Sequence, residues 1–247
     1  MTVLVALFVS PVAATSSSVL VGVKHKMRAT LITPDGNGPY PGVLVLHRNN
    51  GVESADLQYA GRLAKEGYVC LVPAFTEAYG ITPDTRDNPF TTHAPPIYAD
   101  LVDALDMLRH NEKVGGSKLG ALGFSNGAYF ALWLAATNKI EAGVSYYGAI
   151  SGAGTTGAFM GHWRAVFSRT SAQVLILHGS VDSTVPVAVA RLFGDILNTA
   201  HSPHEIHIYP GVGHLFERQP ISPADRAAAE DSWQRTLEFL RKYLKQP

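Results

Sequence analysis

Apolar positions along the chain follow two alternating patterns. Short, nearly continuous apolar runs occupy Val43–Leu46, Tyr68–Val72, Leu119–Phe124, Gly143–Tyr147, Val174–Leu177 and Glu205–Tyr209. Runs of this length predict strands, most of them buried on both faces. Between most of them, apolar residues recur at helical spacing. Ser54 to Glu66 places Leu57, Ala60, Leu63 and Ala64 on one stripe and stops at Gly67, a residue suited to the position just past a helix. Ile97, Leu101, Leu105 and Leu108 form a second stripe behind Pro95-Pro96. Ser222 reads as the N-cap of a third, with Pro223 in its first turn and an acid, Asp225, three residues on. Trp233, Leu237, Leu240 and Leu244 supply the buried face of that helix. Strands alternating with amphipathic helices predict the α/β class, with a mostly parallel sheet and helices on both faces. Ligands of such sheets sit in the crevice beyond the carboxyl ends of the strands, so the residues just after each run are where chemistry is expected.

Composition narrows the picture. The chain has 247 residues, 20 Lys+Arg against 20 Asp+Glu, and no long basic run, which argues against a nucleic-acid partner. Its length suits one α/β domain, predicted over residues 15–247, with no internal repeat or linker. The single cysteine, Cys70, excludes an internal disulfide framework and any multi-cysteine metal site, and within Tyr-Val-Cys-Leu-Val it reads as a small buried hydrophobe. The N-terminus carries two readings. The apolar run of residues 3–9 and the small residues of Val12-Ala13-Ala14 resemble a secretory signal peptide over residues 1–14, implying a secreted or periplasmic protein. The first basic residue is Lys24, so the usual positive leader is missing, and a short edge strand in a cytoplasmic protein is the competing reading. The run is much shorter than the ~20 apolar residues of a spanning helix, so no integral membrane segment is expected.

The run at Leu119–Phe124 leads into Gly123-Phe124-Ser125-Asn126-Gly127 and then a helix-compatible stretch from Tyr129 to Ala136. G-x-S-x-G between strand and helix is the pattern of a nucleophile on a sharp turn, where the glycines let the neighbouring backbones approach. The alternative is an ordinary turn in which Ser125 only caps the helix. A serine hydroxyl needs a base, and the base needs an orienting acid. With a nucleophile of this kind they follow in the chain order acid, then histidine. Asp182 lies just past one strand, in Leu177-His-Gly-Ser-Val-Asp182, and His214 lies in a glycine-rich loop after the next. Asp195, inside a helical stretch, and Glu205, at a strand start, are weaker candidates for the acid. His178 is expected to support the acid loop. His201, His204 and His207 lack a carboxylate-supported ligand set, so no metal site is predicted. The oxyanion of the intermediate would take the backbone N–H of Asn126 and a second from the loop His47-Arg-Asn-Asn-Gly51, with Asn49 first and Arg48 next.

Several segments together resemble the dienelactone hydrolase family of α/β-hydrolases: Pro41–His47, Leu63–Pro73, Gly123–Gly127, Val144–Gly148, Leu177–Asp182 and Gly213–Phe216. The resemblance runs in order from about residue 20 to the end and implies the α/β-hydrolase fold and the triad Ser125, Asp182 and His214. The chain departs from the family in having serine where the dienelactone hydrolases proper use cysteine, and Arg48 in place of their acidic residue after the first strand. Arg218 occupies the spacing of one arginine that those enzymes use for a substrate carboxylate, and with Arg48 it is a candidate substrate contact. Residues 74–94 and 149–163 are expected to form the pocket mouth, with Tyr79 and Trp163 contacting substrate and Phe75, Phe90, His93, Phe159 and Met160 nearby. The expected activity is hydrolysis of a small carboxylic ester or lactone through an acyl-enzyme, without a cofactor. A peptidase or acyltransferase on the same triad, or a non-catalytic binding protein, are the alternatives.

Overall fold

The computed structural model describes residues 14–82, 84–85, 92–116, 118–148 and 163–245. The signal-peptide reading therefore lies outside the described residues except for Ala14, as do Phe90, Phe159 and Met160. In chain order the elements are β1 (Ala14–Val21), β2 (Met27–Pro34), β3 (Gly42–Leu46), α1 (Ser54–Lys65), β4 (Val69–Pro73), α2 (Phe75–Ala78), α3 (Ala94–Arg109), β5 (Leu119–Phe124), α4 (Asn126–Ala136), β6 (Ala142–Tyr146), β7 (Gln173–Gly179), α5 (Val187–Thr199), β8 (His204–Tyr209) and α6 (Pro223–Leu244).

The strands form one sheet in the order β1-β2-β4-β3-β5-β6-β7-β8. β3 to β8 pair in parallel, while β1 and β2 join as antiparallel strands at one edge. This is the α/β class with a mostly parallel sheet predicted from the alternation of strands and helices, in the α/β-hydrolase form that the family resemblance implies. The two edge strands escaped that pattern because β1 is mostly exposed and β2 alternates buried with half-buried or exposed positions, so neither makes a continuous apolar run.

The sheet is covered on both faces, and strict alternation along its inner strands feeds two cores. Leu44 and Leu46 of β3 point to one core, with Ile97 and Leu101 of α3, Phe130 and Leu134 of α4, and Phe193 of α5. Val43 and Val45 point to the other, with Tyr59 and Leu63 of α1 and Trp233, Leu237 and Leu240 of α6. Cys70 is wholly buried in the second core, and burial pushes its thiol well above the usual range. Among the described residues, no helix is long and apolar enough to cross a membrane.

Candidate active site

Ser125 ends β5 and stands immediately before α4. Its φ of 51° and ψ of −114° put a non-glycine residue in a sparsely populated region. The turn is held by Ser125 N–H donating to Tyr146 O at 3.0 Å and by Ala128 N–H donating to Ser125 O at 3.1 Å. A side chain at 123 would collide with the backbone of Gly127 and Ala128. One at 127 would collide with the Leu46 and His47 carbonyls at the end of β3. The two glycines thus seat the start of α4 against that strand end. The Ser125 side chain makes no cap hydrogen bond to α4, so its position is not explained by helix capping.

Asp182 follows β7 and is almost fully buried. Its Oδ1 accepts from the amides of Thr184 at 2.9 Å and Val185 at 2.8 Å, and its Oδ2 accepts from His214 Nδ1 at 2.6 Å. Burial alone would raise its pKa, but the bonds from His214 and these amides outweigh that and hold it below the usual carboxylate range. An ionised carboxylate only accepts, so His214 Nδ1 is the donor of this bond. His178, buried at the end of β7, donates from Nε2 to Val185 O at 2.8 Å and so supports the acid loop. The acid and base loops are joined: Ser180 N–H donates to Tyr209 O, Val181 N–H to Val212 O, and Gly211 N–H to Ser180 Oγ. Tyr147, one residue beyond the Tyr146 that binds Ser125, lies with its ring 4.4 Å from the His214 ring. The chain therefore carries Ser125 and His214 to either side of Tyr146-Tyr147 at the carboxyl edge of the sheet.

Asn126 opens α4, whose first N–H groups have no partner within a helix. Asn49 lies in the turn after β3, half-buried. The other expected contacts are placed differently. Arg48 turns along its own loop to Glu53, at 2.5 Å. Arg218 turns inward, with its side chain 5% exposed, onto Asp56, onto Glu217 at 2.9 Å and towards Glu53 at 3.7 Å. Both arginines are thus engaged by the chain's own carboxylates. Tyr79 donates to Asp100 at 2.6 Å and packs on His25, a contact between the β1–β2 turn and α3. Trp163 is buried among Tyr129, Phe167 and Phe193.

Sequence reasoning missed Glu53, Asp56, Glu217 and Tyr147. Tyr147 is fully buried at φ 39°, and its hydroxyl donates to Glu217 Oε1 at 2.8 Å. Burial raises the Glu217 carboxyl above its usual range despite Arg218 beside it. The acids at 53 and 56 look from sequence like ordinary helix-start residues, and they do form a capping box. Their partner Arg218 is the one hint, and it is remote in sequence.

The sequence profile of the dienelactone hydrolase family matches residues 27–244. A Yersinia pestis protein named as a candidate carboxymethylenebutenolidase is 31% identical over 231 residues, covering 88% of this chain and 84% of its own length. A Klebsiella pneumoniae crystal structure, named as that of a candidate dienelactone hydrolase, superposes with a TM-score of 0.78 at 25% identity, over 94% of this chain and 100% of that one. The fold is also shared with an acylaminoacyl peptidase of Pyrococcus horikoshii, at TM-score 0.76 and 15% identity, over 95% of this chain and 42% of that one.

Proposed function

The chain belongs to the dienelactone hydrolase family, and on that premise we propose that it is a serine hydrolase of small carboxylic esters or lactones, working through an acyl-enzyme on Ser125, His214 and Asp182. The observation that carries this reading is the 2.6 Å bond from His214 Nδ1 to Asp182. It commits Nδ1 to the acid and leaves Nε2 to serve as the base for Ser125, whose hydroxyl makes no cap bond in its strained turn.

In the proposed cycle, His214 Nε2 takes the Ser125 proton as Oγ attacks the ester carbonyl. The amides of Asn126 and Asn49 receive the oxyanion, and each such donor is worth ~10²–10³ in turnover. Asp182 stabilises the imidazolium while staying ionised, which its lowered pKa favours. The imidazolium then protonates the leaving alcohol, and water, deprotonated by the same nitrogen, releases the acid. No step calls for a cofactor.

The test is hydrolysis of p-nitrophenyl esters of increasing chain length by wild type and Ser125→Ala. Wild type should turn over short esters, and the variant should lose at least ~10³-fold in kcat with its Tm unchanged. Equal rates in the two proteins would refute a serine acyl-enzyme.

A further inference from the structure

We infer that Arg218 is a positioning residue, a buried guanidinium that fixes the nucleophile turn, the base loop and the oxyanion loop relative to one another. The inference rests on the serine hydrolase reading above for what those three segments do.

Arg218 touches the first two directly and reaches the third through Glu53, 3.7 Å away. Its guanidinium lies over the Phe124 ring at 4.3 Å, and Phe124 is the residue before Ser125. Its Nε lies 2.9 Å from Glu217 Oε1, the oxygen that accepts from Tyr147, whose ring packs on His214. Its Nη2 pairs with Asp56 in the first turn of α1, and Asp56 Oδ2 accepts from Glu53 N–H at 2.8 Å. Glu53 holds Arg48 at 2.5 Å, next to Asn49. A chain of contacts thus runs from Asn49's neighbour through Arg218 to the ring beneath His214.

The chemistry of the cluster suits a fixed hub. Arg218 and Asp56 have side chains 5% and 0% exposed, so neither charge has water as an alternative partner, and removing one strands the other. Burial opposes the Arg218 charge, but Tyr147, Asp56 and Glu217 together hold its proton more firmly than usual. Arginine suits this place because its planar fork can meet Asp56 on one edge and Glu217 on another, while its face lies on Phe124. A lysine would supply one charge and no such geometry. Two cations face three carboxylates here, so the guanidinium has no charge left over for a substrate carboxylate.

The test compares wild type with Arg218→Met, Arg218→Lys, the near-isosteric Asp56→Asn and the double variant Asp56→Asn/Arg218→Met. Each is assayed well below its Tm on p-nitrophenyl acetate and on an ester bearing a free carboxylate. Misplacement of catalytic parts by about 1 Å typically costs ~10² in rate. Arg218→Met and Asp56→Asn should therefore lose ~10–10² in kcat on both esters, with KM within about threefold, and Arg218→Lys should recover little. The double variant should be no worse than the poorer single, because the two residues act as one unit. A second readout does not need turnover: the low-field proton resonance of the His214–Asp182 bond should shift or broaden in Asp56→Asn, a variant that keeps the side-chain shape. A loss confined to the carboxylate ester and expressed in KM would assign Arg218 to substrate binding and overturn the inference. So would wild-type kcat, or an unchanged proton resonance, in folded Asp56→Asn. Ser125→Ala judges the hydrolase reading separately, since it leaves the cluster intact.

Discussion

At Ser125 the backbone adopts a conformation that most side chains avoid, at a cost of order 1–3 kcal/mol that the surroundings must offset. They do so through tight contacts at Gly123 and Gly127; at Gly127 an added methyl would meet the Leu46 and His47 carbonyls, which have nowhere to go. Gly127→Ala should destabilise the protein by about 1–3 kcal/mol, seen as a Tm lower by several degrees. Because the same contact seats the start of α4 against the end of β3, where the proposed oxyanion donors lie, kcat should also fall in the fraction that remains folded. A variant with wild-type Tm and kcat would show that α4 can retreat from β3 at no cost. Ser125, Asp182 and His214 could be proposed from the sequence because each stands just past a strand, a position that local pattern reveals. Asp56 and Glu217 could not, because their roles depend on partners met only through space. Asp56 and Arg218 are 162 residues apart, and nothing in either segment announces the other.

Among the elements, nearly continuous apolar runs made most strands legible, β8 included although it is only partly buried. The strands from β3 to β7 are almost wholly buried and announced themselves as apolar runs; β1, with polar residues on an exposed edge, did not. The α6 start was legible in detail. Ser222 accepts from Asp225 N–H at 3.0 Å, and Asp225 accepts from Ser222 N–H at 2.9 Å, closing a capping box. Ser222→Ala should cost about 1 kcal/mol and lower Tm by about 2–4 °C. Since α6 packs on the sheet through Trp233, Leu237 and Leu240, well along the helix from its cap, kcat/KM on a p-nitrophenyl ester should not change. A loss of activity without a loss of Tm would instead tie the helix start to the base loop that precedes it.

For the molecule as a whole, gathering the chemistry at the carboxyl edge of one sheet also gathers buried titrating groups there. His47 ends β3, stacks on Phe75 at 3.9 Å and donates from Nδ1 to the Arg48 carbonyl. Burial lowers its pKa to about 4. His178 on β7 is lowered in the same direction, first by burial. A histidine kept neutral in the fold but protonated at its ordinary pKa near 6.5 when unfolded makes the unfolded chain bind more protons between these values. Stability must therefore rise with pH across the window from 4 to 6.5 and be lost on acidification through it. For His47 alone the loss between pH 7 and pH 5 comes to about 2 kcal/mol. Asp182 adds its own loss only lower, as pH falls below the ordinary carboxylate range, because its pKa is depressed in the fold. Acid sensitivity should thus begin near pH 6.5, above the range in which Asp182 adds its loss. Urea unfolding at pH 7 and pH 5 checks this. His47→Asn will be less stable than wild type at pH 7, but should lose about 2 kcal/mol less than wild type between the two pH values. Parallel losses in the two proteins would mean that His47 keeps its neutral form in the unfolded chain too, or takes up its proton without leaving the fold.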